Sequence, residues 1–293
     1  MEKIVVFGGS GFIASHVADK LTQKGYDVTI YDKEFSNYLN KKQKMLVGDI
    51  LDKDAVNSIV TGASYVYHFA GLADIDECIH IPSDTMKVNV LGTATIIDAC
   101  LKAKVKRFVF ASSMYIYSKF GGFYRVSKVA CEHLIEEYSR LFDIKYSILR
   151  IGSVYGPRAN KFNPIQKLIE QAILKGRISC PRRREDVREY IHVLDLAEEC
   201  ANILNDSYEN KYINFKGNQH FTIDQILSMI KEILNNQVEI EYLPEDAKSH
   251  YQITPYSYRP ECALNLTPRH FHDFGQGILE MIYDYESKKS VCQ

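Results

Sequence analysis

The chain has 293 residues, 46% of them apolar and 25% charged, and a net charge of −1. That length supports one large domain or two modest ones around a substantial core. The near-neutral balance gives no electrostatic basis for binding nucleic acid or an anionic membrane, and no apolar run approaches the roughly 18 residues that cross a bilayer. The first residues start a strand at once, which leaves no room for a signal peptide and predicts a cytoplasmic protein. Seven cysteines stand singly, at positions 78, 100, 131, 180, 200, 262 and 292. That scatter predicts reduced thiols, not a disulfide framework or a zinc site. His270 and His272 form the one close histidine pair, without a carboxylate or cysteine cluster beside them, so no metal is expected.

The opening stretch, residues 3–21, runs from apolar Ile4–Phe7 through Gly8, Gly9 and Gly11 into apolar positions at helical spacing, Phe12, Ile13, Val17 and Leu21. It predicts a strand, a tight turn and a helix, with the helix N–H groups free to receive a pyrophosphate. Strands are then predicted over Asp27–Tyr31, Met45–Val47, Tyr65–Phe69, Arg107–Ala111 and Lys145–Ile151. Helices are predicted over Asp54–Val60, Thr85–Ala103 and Tyr124–Leu141. Repeated βα units of this length imply a parallel sheet covered on both faces.

Composition shifts near residue 155: of eight prolines only Pro82 lies before it. Beyond it, helices are predicted at about 162–174, 194–204, 222–235 and 270–287, and short strands near 188–191, 212–215 and 238–242. Thr222 and Gln225 have the spacing of a capping box. The junction at 152–158 reads as a passage between two lobes that share one cleft.

Two constellations carry chemistry. In the first, Asp32 closes the second strand about twenty residues after the glycines, where a carboxylate accepts from ribose hydroxyls and repels a 2′-phosphate, favouring NAD over NADP. Asp49 after the third strand is placed to meet an adenine amino group, and small residues in His68–Gly71 let a dinucleotide lie close. In the second, Ser113 ends a strand while Tyr124 and Lys128, four apart, share a helix face. A phenol titrates near ~10, and a neighbouring ammonium stabilises its anion. Ser113 can hold a substrate hydroxyl and share its proton, so these groups suit removal of a proton from an alcohol as hydride leaves its carbon. Tyr-x-x-x-Lys starts at Tyr38, Tyr115, Tyr124, Tyr212 and Tyr285. Only the one at Tyr124 opens a long helix just after a serine-bearing strand end.

The residues resemble those of the extended short-chain dehydrogenases/reductases of the NAD-dependent epimerase/dehydratase family, most of which act on nucleotide sugars. The resemblance rests on Gly8-x-x-Gly11-x-x-Ala14, Asp32, Gly48-Asp49, His68–Gly71, Asn89-Val90-x-Gly92-Thr93, Ser112-Ser113, Tyr124/Lys128 and Val154–Pro157, in family order. It continues through Arg188–Val193 with Asp195, then Arg259-Pro260, Leu264 and Leu266–Pro268. It implies an α/β modified Rossmann fold, a doubly wound parallel sheet with a smaller, discontinuous C-terminal substrate lobe. The NAD-binding domain would take residues 1–155 plus about 191–217, and the substrate lobe about 156–190 and 218–293. By the same resemblance Ser113, Tyr124 and Lys128 are the catalytic residues. NAD contacts are expected at Gly8, Gly11, Phe12, Ile13, Asp32, Asp49, Ile50, Phe69, Ala70, Gly71 and Ser112, as well as Tyr124 and Lys128. Ser113, Tyr115, Arg188 and Arg259 would meet a nucleoside-diphosphate sugar, the two arginines on its diphosphate. Asn89 either lies near the catalytic centre or braces the start of its helix. Dimerisation through the helices at about 85–103 and 124–141 makes a homodimer the expected state.

Three departures bear on activity. Met114 and Tyr115 stand where 4,6-dehydratases carry an Asp-Glu pair, so neither water elimination nor decarboxylation finds its carboxylate. Tyr115 is then either an auxiliary acid or an aromatic wall of the pocket. Tyr124 follows Ser113 by only eleven positions, where relatives carry a longer loop bordering the sugar. Ser153 stands where many relatives have asparagine. The expected function is NAD-dependent epimerisation of a nucleotide sugar, at C4, through a keto-sugar. The alternatives are a 4-keto-sugar reductase, a 4,6-dehydratase and a non-catalytic NAD-binding protein.

Overall fold

A computed structural model describes residues 1–217, 219–243, 263–268 and 271–291. Six of its strands lie in the first half: β1 (Lys3–Phe7), β2 (Asp27–Asp32), β3 (Lys44–Val47), β4 (Tyr65–His68), β5 (Arg107–Ser113) and β6 (Tyr146–Ile151). Seven more follow: β7 (Ser153–Tyr155), β8 (Arg177–Cys180), β9 (Val187–His192), β10 (Lys211–Phe215), β11 (His220–Thr222), β12 (Glu239–Tyr242) and β13 (Leu264–Leu266). The large sheet has the order β13-β10-β6-β5-β4-β1-β2-β3, and every pairing in it is parallel. Its central strands are near-continuous apolar runs buried along their length, as a sheet covered on both faces requires.

One face is closed by α1 (Phe12–Gln23) and, further along the chain, by α8 (Val193–Asn202); their core joins Val17, Leu21, Leu196 and Cys200 to the strands. The other face is covered by α2 (Lys53–Val60), α5 (Gly92–Ala103) and α6 (Gly122–Phe142), through Val56, Ile96, Cys131 and Ile135. A third core, of Tyr155, Ile169, Ile178, Tyr190, Ile226, Ile230, Phe274 and Ile278, is shared by α7 (Pro164–Lys175), α9 (Ile223–Ile233) and α10 (Phe274–Val291). It rests on two small sheets, β11-β9-β7 and β12-β8.

The expected helix over Thr85–Ala103 is not one regular helix. It divides into α4 (Pro82–Met86), a π turn over Lys87–Leu91, and α5. A further short helix, α3 (Ile75–His80), precedes it; Asp74 caps it by accepting from the N–H groups of Asp76 and Glu77. The strand ends also shift, β4 stopping at His68 and β5 running on to Ser113. The Thr222–Gln225 capping box is present and opens α9.

Because the strands of the large sheet run parallel, the residues that follow them share one edge. Gly8 after β1, Asp32 at the end of β2, Phe69 after β4 and Ser113 at the end of β5 all lie there. In open α/β sheets that edge is where ligands bind.

Candidate active site

The edge begins as a narrow cradle. Gly8 turns with φ +80°, and a Cβ on it would stand 2.5 Å from the Ala70 nitrogen, so the exits from β1 and β4 nearly touch. Gly11 caps α1 with extended backbone, and no side chain bonds to the helix's first N–H groups. Those donors and the helix's positive end therefore point out of the sheet edge. Phe12 and Ile13 begin the helix half-buried against the sheet. The Asp32 carboxylate accepts from the Ser10 N–H at 3.0 Å and the Glu34 N–H at 3.3 Å, while Ser10 Oγ donates to the Glu34 carbonyl at 2.7 Å. Asp49 accepts from the Leu51 N–H at 2.8 Å. Ile50 is buried, its side chain against α5 where Gly92 leaves room for it. Phe69 stacks on Tyr67, and Gly71 meets the side chain of Asn89.

Beyond the cradle stand the groups expected to react. Ser113 is buried at the end of β5, and its hydroxyl accepts from the Tyr115 N–H at 3.3 Å, starting a 3₁₀ turn over Met114–Tyr117. Gly121 and Gly122, both at positive φ, fold the chain straight from that turn into α6. The short connection thus brings the Tyr115 and Tyr124 rings edge to face, 6.4 Å apart. One turn along α6, Lys128 is buried, with its ammonium 5.7 Å from the centre of the Tyr124 ring and 4.8 Å from that of Phe110. It donates to the Ala111 carbonyl at 2.8 Å. Burial lowers the Lys128 pKa from the ordinary lysine value.

Asn89 sits in the π turn and grips the main chain of the loop after β4. Its Oδ1 accepts from the Leu72 N–H at 2.7 Å, and its Nδ2 donates to the Leu72 carbonyl at 3.0 Å and to Ser127 Oγ at 2.9 Å. Of the two roles open to it, the geometry is that of a brace, holding the β4 exit to α6. His68 is buried with Nε2 3.0 Å from Thr93 Oγ1, and burial, then Lys128, depresses its pKa to about 3.

On the substrate side, Arg188 is buried in β9 opposite Phe221 of β11, and Arg259 lies outside the described residues. Glu132, Arg150 and Tyr117 escape the motif reading, yet buried Glu132 and Arg150 and half-buried Tyr117 form a hydrogen-bonded cluster joined to Ser112. A signal was available: Tyr124, Lys128 and Glu132 recur every four positions on α6, and Arg150 interrupts an apolar strand. A second cluster joins His192, Asp195 and His272. Its imidazoles are stacked at 4.2 Å and 26°, and Asp195 accepts from the His272 main-chain N–H at 2.9 Å and lies 2.5 Å from its Nδ1. A carboxylate therefore does stand beside His272, which the sequence reading did not place there.

Against known proteins, the profile of the NAD dependent epimerase/dehydratase family matches residues 4–215. The chain belongs to that family. UDP-glucose 4-epimerase of Corynebacterium glutamicum is 24% identical over 92% of this chain and 91% of its own. Among solved structures, UDP-glucose 4-epimerase of Thermotoga maritima with UDP-glucose superposes with TM-score 0.85 at 24% identity, over 98% of this chain and 99% of its own. A UDP-N-acetylglucosamine 4-epimerase from Methanobrevibacter ruminantium M1 gives TM-score 0.85 at 23% identity, over 98% and 99%. Decarboxylases of UDP-glucuronic acid and a dTDP-glucose 4,6-dehydratase are further relatives.

Epimerase/dehydratase family members are NAD-dependent enzymes, and the cradle here suits that cofactor. Only hydrogen fits at Gly8, the uncapped start of α1 suits a diphosphate, and Asp32 offers a carboxylate at the end of β2.

Proposed function

We propose that the protein interconverts the C4 epimers of a UDP-hexose. The observation that carries this reading is the clustering of Ser113, Tyr124 and Lys128 beside the NAD cradle, with no carboxylate at positions 114 and 115. Bound NAD supplies reversible two-electron redox at the sugar carbon. Tyr124 takes the proton from the C4 hydroxyl as that carbon is oxidised and gives it back when it is reduced. The Lys128 ammonium, kept hydrogen-bonded by the Ala111 carbonyl, supplies positive charge beside the phenol and favours its anion. Ser113 holds the reacting oxygen. Phe12 and Ile13 at the start of α1, Asp32, Asp49, the main chain of Ile50, Phe69–Gly71 and Ser112 are the cofactor contacts in this reading. Tyr115 walls the sugar pocket, and Arg188 and Arg259 take the diphosphate.

The reading extends to a substrate lobe of about 156–190 and 218–293, supported by the third core, except that β13 within that span pairs with β10 in the large sheet. It extends to a homodimer, supported by Leu91, Phe123 and Val126, large apolar side chains left exposed along the π turn and α6. A cytoplasmic location goes with the five buried, free cysteines.

The test is incubation of purified protein with UDP-glucose and with UDP-N-acetylglucosamine, without added nucleotide cofactor, followed by proton NMR. Appearance of the C4 epimer and release of NAD on acid denaturation are expected. A strict requirement for external NAD(P)H, or accumulation of a 4-keto-6-deoxy sugar, would overturn the assignment.

A further inference from the structure

Beneath the reacting serine lies an ion pair that is almost fully out of water. Arg150 of β6 and Glu132 of α6 have side chains 8% and 7% exposed, and they meet in a two-pronged contact, Nη2 to Oε2 at 2.7 Å and Nε to Oε1 at 3.1 Å. Buried pairs of this kind contribute little net stability, because desolvation offsets their attraction. What this one does is set out by its remaining bonds. Glu132 Oε1 also accepts from the Ser112 hydroxyl at 2.5 Å. Arg150 Nη1 donates to the Tyr117 hydroxyl at 2.5 Å, and the guanidinium lies over the Tyr117 and Tyr212 rings, 5.0 and 4.2 Å from their centres. Ser112 and Tyr117 are the residues immediately before and shortly after the reacting segment. Ser113, Met114 and Tyr115 are thus suspended between two anchors fixed to one ion pair.

The chain of bonds goes further. Tyr117 Oη donates to Asn214 Oδ1 in β10 at 3.0 Å, and Asn214 Nδ2 donates to Asn265 Oδ1 in β13 at 3.1 Å. The same ion pair therefore connects the reacting segment to the edge strand of the large sheet on the substrate side. The planar guanidinium is suited to this, since it alone can face a carboxylate with two nitrogens and a phenol with a third.

We propose that Arg150 and Glu132 are positioning residues that hold Ser113 and Tyr115 at the angle the sugar requires, acting through Ser112 and Tyr117. The kinetic part of this rests on the epimerase reading above; the structural part does not. Two measurements keep them apart.

The first is hydrogen exchange of the NAD-loaded protein without sugar. Arg150→Lys and Tyr117→Phe should speed amide exchange in residues 112–118 about tenfold, while β1 and β4 keep their protection. The second is steady-state epimerisation of UDP-glucose and UDP-N-acetylglucosamine, normalised to NAD-loaded protein. Arg150→Lys should lower kcat by about tenfold and Tyr117→Phe by about threefold, each with KM changed far less; a group that only stabilises the fold would lower the loaded fraction and leave kcat per loaded site intact. Tyr117→Phe removes a single oxygen, so it reports even if the arginine variant does not fold. Wild-type exchange at 112–118 in both variants, or wild-type kcat per loaded site, would overturn the proposal. If the wild-type enzyme turns over neither sugar, the epimerase reading falls, and the exchange data still decide whether the ion pair holds the segment.

Discussion

Tyr124 offers the sharpest test at the scale of single residues. Its ring is half-buried between Tyr115 and the Lys128 ammonium, so Tyr124→Phe deletes a hydroxyl and leaves the packing in place. Epimerisation should fall by roughly 10²–10⁴-fold, the usual worth of a positioned acid–base group, with NAD content unchanged. Asp32 is tested through the cofactor. Asp32→Ser removes the carboxylate that would repel a 2′-phosphate, and the preference for NAD over NADP, measured by calorimetric titration, should shrink by about tenfold or more. The proximity of Ser113, Tyr124 and Lys128 was readable because helical spacing and strand ends are local properties. Glu132 and Arg150 were not, because their meaning comes from a contact between α6 and β6 that only the fold creates.

Helices of eight residues or more and most strands of the large sheet follow the apolar pattern and were legible in chain order, whereas the six-residue α3 was not. What escaped were strands of three or four residues, β7, β8, β11 and β13, which carry too few side chains to display a period. The π turn escaped for another reason: one extra residue per turn does not alter composition. The Thr222–Gln225 capping box gave a clearer signal, and the structure adds a second cap. Asn163 opens α7 by accepting from the N–H groups of Ile165 and Gln166, and its amide donates to the Val154 carbonyl at 2.7 Å. Asn163→Ala removes both functions, so a loss of about 1–2 kcal/mol is expected in urea denaturation. Asn163→Asp, which keeps the cap and loses the donor, should recover part of it.

At the scale of the whole molecule, three buried histidines among the described residues are held neutral. Burial lowers the pKa of His16 to about 4 and those of His68 and His192 to about 3. His16 reaches from α1 to the Pro157 carbonyl at 2.9 Å. Neither ring nitrogen of His192 has a hydrogen-bond partner among the described residues. In the unfolded chain each would titrate near ~6.5. Their stabilising contribution is therefore complete above that pH and drains away as pH falls toward the folded values, because unfolding then takes up protons. With all three involved the slope reaches about 4 kcal/mol per pH unit. Urea midpoints should drop steeply below about pH 6.5, and His192→Asn should flatten the fall. A midpoint that does not move with pH would rule the mechanism out.

The ring of Phe274 has one more implication. It lies 4.3 Å from Phe221, 4.7 Å from Tyr155 and 5.5 Å from Tyr190, centre to centre, so three distant stretches of chain close around the first residue of α10. During synthesis the large sheet can assemble from what has already emerged from the ribosome, whereas the third core has no centre until α10 arrives. A nascent chain halted ahead of residue 274 would expose an unfilled aromatic hollow, and that interval is when the polypeptide is most open to chaperones and proteases.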